Sequence, residues 1–172
     1  GRQSAIPLAF AIAKSQPQIQ NLEIISIVAA ISAGPATRAN IDEYLITTEH
    51  GVRELTGIRK CKVMLNLNPA SPCIDMQTTI PADIPDLDLV SLDEALGPMI
   101  TRVQKYVPGY RLLFKPRREG GRLVVSLRTR GCGDFLPEYA GNLDIINCAA
   151  IVTAERFAIH DMDAHKYTAA PV

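Results

Sequence analysis

The chain has 172 residues, 47% of them hydrophobic and 21% charged, and its 18 basic and 18 acidic side chains cancel to zero formal net charge. That length suits one domain with a sizeable core, and the charge balance removes any global pull toward nucleic acid or an anionic membrane. No apolar run reaches about 20 residues without a breaker or a charge, and the apolar start from Ala5 to Ala13 lacks the charged lead and cleavage pattern of a secretory signal.

Ser4 to Lys14 is apolar at most positions, with Pro7 tolerable in a first turn, and predicts a largely buried helix. Asn21 to Ile31, rich in Ile and Val, predicts a central strand. A polar turn follows from Ser32, in which Gly34 offers backbone freedom, Pro35 fixes its own φ, and Thr37, Arg38 and Asn40 supply donors and acceptors. From about Asn40 to Leu55 a helix places Ile41, Tyr44, Leu45, Val52 and Leu55 near one face, and Gly57 stops it. Cys61 to Leu67 and the weaker Ile74 to Ile80 read as strands, and residues 81–90 as a connecting loop. Leu92 to Tyr106 is a helix with Ser91 as N-cap and Glu94 completing a capping box. Tyr110 to Phe114 and Arg122 to Arg130 form a hairpin across the charged segment Lys115 to Gly121. A helix from about Asn142 to His160 closes the chain. Strands in hairpins between helices predict an α+β fold, a mainly antiparallel sheet with helices packed on one face. Hydrophobic strands without a second helical layer leave an uncovered apolar sheet face, and such a face needs a partner.

Cys61, Cys73, Cys132 and Cys148 match no zinc ribbon or redox pair, so reduced thiols in a cytoplasmic setting are expected. His50, His160 and His165 form no metal-ligand pattern, and the cluster of His160, Asp161, Asp163 and His165 reads as a solvated tail. No metal is expected.

Ser32 to Tyr44 reads Ser-Ala-Gly-Pro-Ala-Thr-Arg-Ala-Asn-Ile-Asp-Glu-Tyr. This run resembles a segment of the acylating acetaldehyde dehydrogenases, which convert acetaldehyde, NAD and coenzyme A to acetyl-CoA. Val103 to Tyr110 and Leu136 to Ile145 resemble the same family in the same order. The resemblance covers roughly residues 3–158 and only the family's second half, leaving residues 159–172 as a tail. It implies a catalytic and dimerisation domain of the glyceraldehyde-3-phosphate dehydrogenase C-terminal type, whose open sheet face meets a second copy in a homodimer, with a partner aldolase as a further possibility.

The resemblance also marks departures. The family's nucleophile is a cysteine in a Cys-Gly-Gly-Gln run at the start of the first helix, and this chain opens Gly1-Arg2-Gln3, one residue beyond it. None of the four cysteines replaces it: Cys132, in Gly131-Cys132-Gly133-Asp134, and Cys148, inside the last helix, read as small turn or core residues. Where relatives carry an aspartate thought to act as acid or base, this chain has Thr78, which cannot serve as a carboxylate. Asp75, three residues earlier on a strand, faces the other side. The resemblance assigns Asn40 and Asn142 to contacts with the nicotinamide nucleotide, and Ile41 and Leu65 to the aldehyde channel. Asn142 serves equally well as an N-cap. Catalytic candidates are Gln3, Asn40 and Asn142, and candidate ligand contacts are Arg2, Gln3, Thr37, Arg38, Asn40, Ile41, Leu65, Thr78 and Asn142. Asn66 adds polarity to its strand. Arg128 and Arg130 share a strand face with Arg122 where relatives carry acids, backed by Lys115, Arg117 and Arg118. That basic stripe is a solvated face, an altered partner surface or an anion site.

Three readings follow. The leading one is a stand-alone, degenerate relative without nucleophile, base or NAD domain, repurposed for cofactor-free cyclisation, isomerisation or hydrolysis of a small polar metabolite. A second is a fragment or split subunit of a true acylating dehydrogenase, using NAD and CoA. A third is a non-catalytic dimerisation or docking module.

Overall fold

A computed structural model describes the backbone of residues 2–168 and the side chains of residues 2–161. Helix α1 (Arg2–Ser15) leads to strand β1 (Asn21–Ala29), a 3-10 turn, the short helix α2 (Pro35–Ala39) and helix α3 (Ile41–Thr56). Strands β2 (Cys61–Asn68) and β3 (Met76–Asp83) precede helix α4 (Leu89–Gln104). Strands β4 (Gly109–Leu112), β5 (Arg117–Glu119) and β6 (Arg122–Arg130) then run into helix α5 (Gly141–Thr168).

The six strands form one sheet in the order β2-β1-β3-β6-β4, with β5 also paired to β6. Every pairing is antiparallel except β1 with β2, which run parallel. Parallel neighbours need a crossover, and α2 and α3 provide it. Period-two burial decides which side chains face inward. Leu22, Ile24, Ile80, Ala82, Leu123 and Val125 join one buried cluster with Leu8 and Ile12 of α1, Val52 of α3, Leu96 of α4 and Ile145 of α5. The intervening residues of β1, Glu23, Ile25 and Ile27, lie on the other, helix-free face and are only half-buried.

Between α1 and the sheet sits a polar knot. Ser4 Oγ lies 3.0 Å from Thr129 Oγ1 and 3.3 Å from Thr78 Oγ1, and Ser26 Oγ lies 3.3 Å from the same Thr78 hydroxyl. The Tyr110 hydroxyl donates to the Ser4 carbonyl at 2.7 Å. Ser4, Ser26, Thr78, Thr129 and Tyr110 are all fully buried, so these groups depend on one another for hydrogen bonds. They draw together α1, β1, β3, β6 and β4. Just beyond, Gly141 starts α5 where a Cβ would come within 2.2 Å of the Thr129 carbonyl oxygen, so only glycine permits that approach.

The structure departs from the sequence reading in several places. Helix α1 begins at Arg2, so Pro7 stands inside it and removes the N–H that would bond to the Gln3 carbonyl. Gly34 adopts an extended conformation (φ −68°, ψ 177°) open to any residue. The N-cap of α4 is Asp88, which accepts from the N–H groups of Val90 (2.9 Å) and Ser91 (3.2 Å); Ser91 itself donates to Asp88. Acidic Asp88 outcompetes Ser91 because a carboxylate is the stronger acceptor for exposed helix N–H groups. Strand β3 extends to Asp83, which shortens the expected loop, and α5 passes residue 158 and continues to Thr168. Of the expected C-terminal cluster, the side chains of Asp163 and His165 lie outside the described residues. Among the described residues no group of His, Cys, Asp and Glu is arranged to hold a metal, and no helix is long and apolar enough to cross a membrane.

Replacing Tyr110 with Phe removes the bond to Ser4 without changing the ring's packing. The variant is expected to lose about 1–2 kcal/mol in urea denaturation with an unchanged m-value; an unaltered midpoint would show that the knot contributes nothing.

Candidate functional site

The site grows from the end of β1. The chain leaves the sheet through a 3-10 turn, Ala30–Ser32, in which the Ser32 hydroxyl donates to the Ala29 carbonyl at 2.8 Å. Arg38 in α2 reaches back, its Nε donating to Ala33 O at 2.9 Å and its Nη2 to Ala30 O at 3.0 Å. Asn40, between α2 and α3, spends an amide N–H on the Ala36 carbonyl at 2.8 Å. This internal bonding folds the segment into a rigid wall.

Against that wall lies a cleft of two adjoining lobes. One, of about 310 Å³, is lined by Arg2, Val28, Thr37, Asn40, Ile41, Glu43, Tyr44, Leu65 and Asn142. The other, of about 470 Å³, is lined by Arg2, Gln3, Tyr44 and Asn142 together with apolar residues of α1 and α5. Arg2, Tyr44 and Asn142 border both, and each lobe falls within the usual range for small-molecule sites.

Of the residues singled out from sequence, Arg2, Thr37, Asn40, Ile41, Leu65 and Asn142 line the first lobe and Gln3 the second. Two do not reach the cleft. Arg38 is spent on backbone carbonyls, and Thr78 is fully buried in the hydroxyl knot beneath α1. Asn142 falls inside α5, which starts at Gly141, and its Oδ1 is buried without a hydrogen-bond partner, so it does not cap the helix. Glu43 and Tyr44 also line the cleft and were missed. The helical period sets Tyr44 on the apolar face of its helix, where its aromatic ring belongs; the position of its hydroxyl has no period to betray it.

Electrostatics separate used from unused charge. Burial pushes the Tyr44 phenol above its usual range, only partly offset by nearby Ser26 and Thr48 and by the charge of Arg2. No bond of full geometry forms to its hydroxyl. On the helix-free sheet face, Arg122 pairs with Glu23 at 3.1 Å and with Asp83. Arg130 pairs with Glu138 and, at 3.6 Å, with Asp75. Asp75 is thus directed to this face, opposite Thr78. The Nε of Arg128 is buried and has only a long ion pair, 3.8 Å, to Asp75. In the neighbouring strand β5 Arg117 stacks on Phe114, 4.1 Å from the ring centroid, and Arg118 bonds the carbonyls of Ile84 and Pro85. The expected stripe is therefore largely neutralised locally, with Arg128 the least satisfied member.

None of the shifts favours a thiolate. Burial raises the pKa of Cys132 and Cys148, reinforced by the charge of Asp144, and pushes Cys61 up to about 11, with Glu49 adding to the effect. Because the folded thiol of Cys61 holds its proton more tightly than the unfolded one, the unfolded state binds fewer protons between pH 9 and 11. Its contribution to stability is complete below pH 9 and falls as pH rises through 11. Stability curves measured from pH 8 to 11 should therefore decline less steeply in Cys61→Ala than in the parent; parallel curves would refute the shift.

Comparisons with known proteins add independent information. A family model described as "Prokaryotic acetaldehyde dehydrogenase, dimerisation" matches residues 1–137. An acetaldehyde dehydrogenase of Spirochaeta aurantia is 53% identical over 158 residues, covering 92% of this chain and 53% of that protein. Its counterpart in Pectobacterium atrosepticum is 50% identical, covering 90% of this chain and 52% of that protein. The chain thus spans about half the length of the curated relatives it matches. A solved aspartate semialdehyde dehydrogenase II from Vibrio cholerae, complexed with ASA, shares the fold at 10% identity, with a TM-score of 0.50 over 88% of this chain and 57% of that one. The expectation of cofactor-free chemistry is overturned by these matches, because the relatives are named as dehydrogenases, and dehydrogenation requires an electron acceptor. The repurposed non-redox reading likewise finds no support among them.

Proposed function

Because this chain belongs to the prokaryotic acetaldehyde dehydrogenase family, we propose that it is the catalytic and dimerisation half of an acylating acetaldehyde dehydrogenase, acting on acetaldehyde and coenzyme A. The observation that carries this reading is the cleft: family-level identity coincides with a concave site whose lining holds six of the nine contacts anticipated from sequence in a single lobe. The nicotinamide dinucleotide of that reaction supplies the hydride acceptor when bound. The residues present suit its carboxamide end, since Asn142 Oδ1 is a buried acceptor left without a donor, and such an orphan costs about 1–3 kcal/mol unless a ligand satisfies it. Asn142 and Asn40 would hold that end.

The chain's own residues then have separable tasks. Val28, Ile41 and Leu65 provide an apolar wall that excludes water and accommodates a short aliphatic substrate. Arg2 in α1 places positive charge at the cleft border. By resemblance the family's nucleophilic cysteine would stand beside it, where that charge favours a thiolate. Thr78, far from serving as a base, contributes to holding that helix in place.

Activity is expected when a dinucleotide-binding half from a relative, carrying the cysteine, is supplied to this chain: acetaldehyde- and CoA-dependent reduction of NAD. Asn40→Ala and Asn142→Ala should each lower kcat/KM about ten-fold or more, the loss of one or two hydrogen bonds, with the fold unchanged by circular dichroism. Absence of activity at every ratio of the two halves would contradict the reading.

The same reading includes a homodimer through the helix-free sheet face. Ile25 on β1 neighbours Met64 of β2 and Thr79 of β3, and Thr79 bonds Ser126 at 2.9 Å, giving a half-buried strip bordered by Arg128 and Arg122. Charge placed in its centre should break the association. Ile25→Asp is expected to weaken the dimer at least ten-fold in sedimentation equilibrium while leaving secondary structure intact; an unchanged dimer would place the interface elsewhere. An aldolase-type partner belongs to this proposal too, with the exposed Ile146, Ile151, Phe157 and Ile159 of α5 as apolar surface still available.

A further inference from the structure

Four free cysteines are spread along the chain, and the fold brings two of them to one place. Cys132 lies in the exposed turn after β6, and Cys148 is half-buried on α5. The turn is held tightly to that helix. The Gly131 N–H donates to the Glu138 carbonyl at 2.8 Å, and the Cys132 N–H donates to Asp144 Oδ2 at 2.7 Å. Gly131 packs against the same residue, since a Cβ on it would stand 3.3 Å from the Asp144 Cβ. Cys148 follows Asp144 by four residues, which puts both side chains on one helix face with Cβ atoms about 5–6 Å apart. Helical side chains lean toward the N-terminus, so Cys148 is directed back at Asp144. Both thiols therefore flank one carboxylate. Burial first and the Asp144 charge next raise the pKa of Cys148, the same two causes lead at Cys132, and there Cys148 itself adds to the rise, as near neighbours do. Among the described residues no such cluster is arranged to hold a metal, which leaves the chemistry of the thiols themselves.

We propose that Cys132 and Cys148 are a modification site, a thiol pair that a low-molecular-weight disulfide closes into a bridge, clamping the turn after β6 onto α5. Exposure divides the steps between them. The exposed Cys132 sulfur attacks one sulfur of the small disulfide, breaking its S–S bond, releasing one small thiol and leaving a mixed disulfide. The half-buried Cys148 sulfur, out of reach of a bulky reagent, then attacks the Cys132 sulfur and displaces the second small thiol. Two protein thiols lose two protons and two electrons, and one small disulfide becomes two thiols. The raised pKa values hold the thiolate fraction down, so the pair stays reduced until the disulfide accumulates. Register offers a competitor, because the pairing of Met76 with Thr129, continued past the strand ends, sets Cys73 across from Cys132. The bond from the Cys132 N–H to Asp144 turns Cys132 toward α5 instead. Cys61 is buried on β2, with β1 and β3 between it and β6. Because Asn142 sits in the first turn of α5, the bridge also fixes one wall of the cleft.

The test uses the 172-residue chain and oxidised glutathione as the probe. After incubation the chain is unfolded and its remaining thiols are alkylated, and mass spectrometry locates each cysteine. Trypsin leaves Cys132 and Cys148 in one peptide, Gly131 to Arg156, so a second cut after Glu138 is needed to separate them. The expected product is lighter by two hydrogen atoms, carries alkyl groups on Cys61 and Cys73 only, and yields the two cysteine peptides joined until a reductant is added. Closing a loop of this length in the unfolded chain should raise the melting temperature by about 5 °C, reversibly. Cys148→Ser should keep glutathione attached at Cys132, and Cys132→Ser should form no bridge and show no shift in melting temperature. A glutathione adduct that persists at Cys132 in the parent overturns the proposal, as does a bridge from Cys132 to Cys73. A Cys132–Cys148 bridge that leaves the melting temperature unchanged or lowers it also overturns it, because the turn is then not clamped in its native position.

Discussion

The buried hydroxyl knot at Ser4, Thr78, Thr129 and Ser26 is the constraint on which the rest depends. Without it α1 is an apolar helix resting on an apolar sheet, free to slide by a fraction of a turn at small cost, since hydrophobic contact is not directional. Hydrogen bonds are directional. Three oxygen-to-oxygen contacts and the Tyr110 bond to the Ser4 carbonyl allow one placement of the helix on β3 and β6. That placement sets Arg2 at the cleft, with Tyr44 of α3 and Asn142 of α5 around it. Gly141 extends the same logic, because its missing side chain lets α5 start against the Thr129 carbonyl. Position Thr78 therefore has a structural explanation of its own: on the buried face, without carboxylate, it bonds two serines and leaves no charge to be desolvated.

The two faces of the sheet divide the labour. The covered face builds the core and, through the ends of its strands, the cleft. On the other face, ionic groups bound a half-buried apolar strip: Glu23, Asp83 and Arg122 at one end, Asp75, Arg128 and Arg130 at the other. Such a surface is too apolar in its middle to be left in water without reason and too polar at its ends to associate indiscriminately. A dimerisation domain needs that combination.

How much of this was written legibly in the chain follows from the range of each interaction. The long elements were, because burial on one side imposes a period: β1 shows it as alternating Leu22, Ile24 and Val28, and α3 ends at Gly57 with φ of 74°, where a left-handed residue was expected. The cleft wall was legible through a resemblance in the Ser32 to Tyr44 run, and five residues of that run, Thr37, Asn40, Ile41, Glu43 and Tyr44, do meet in one lobe. Features set by competition between near neighbours were not. Asp88 displaced Ser91 as the cap of α4, and the parallel pairing of β1 with β2 depends on a crossover that strand periodicity does not reveal. Features set by a single atom were least legible of all. The ring of Tyr44 obeys the apolar pattern, and only the folded chain shows its hydroxyl stranded beside a cleft.

On the proposed function, this cleft is the substrate and cofactor-facing half of an acetaldehyde dehydrogenase site. The most direct measurement is a single-chain chimera in which residues 1–158 replace the matching segment of an active relative, leaving that enzyme's dinucleotide-binding half and cysteine intact. Steady NADH formation that requires both acetaldehyde and coenzyme A is the expected result. A folded, dimeric chimera that binds NAD but forms no NADH would contradict it.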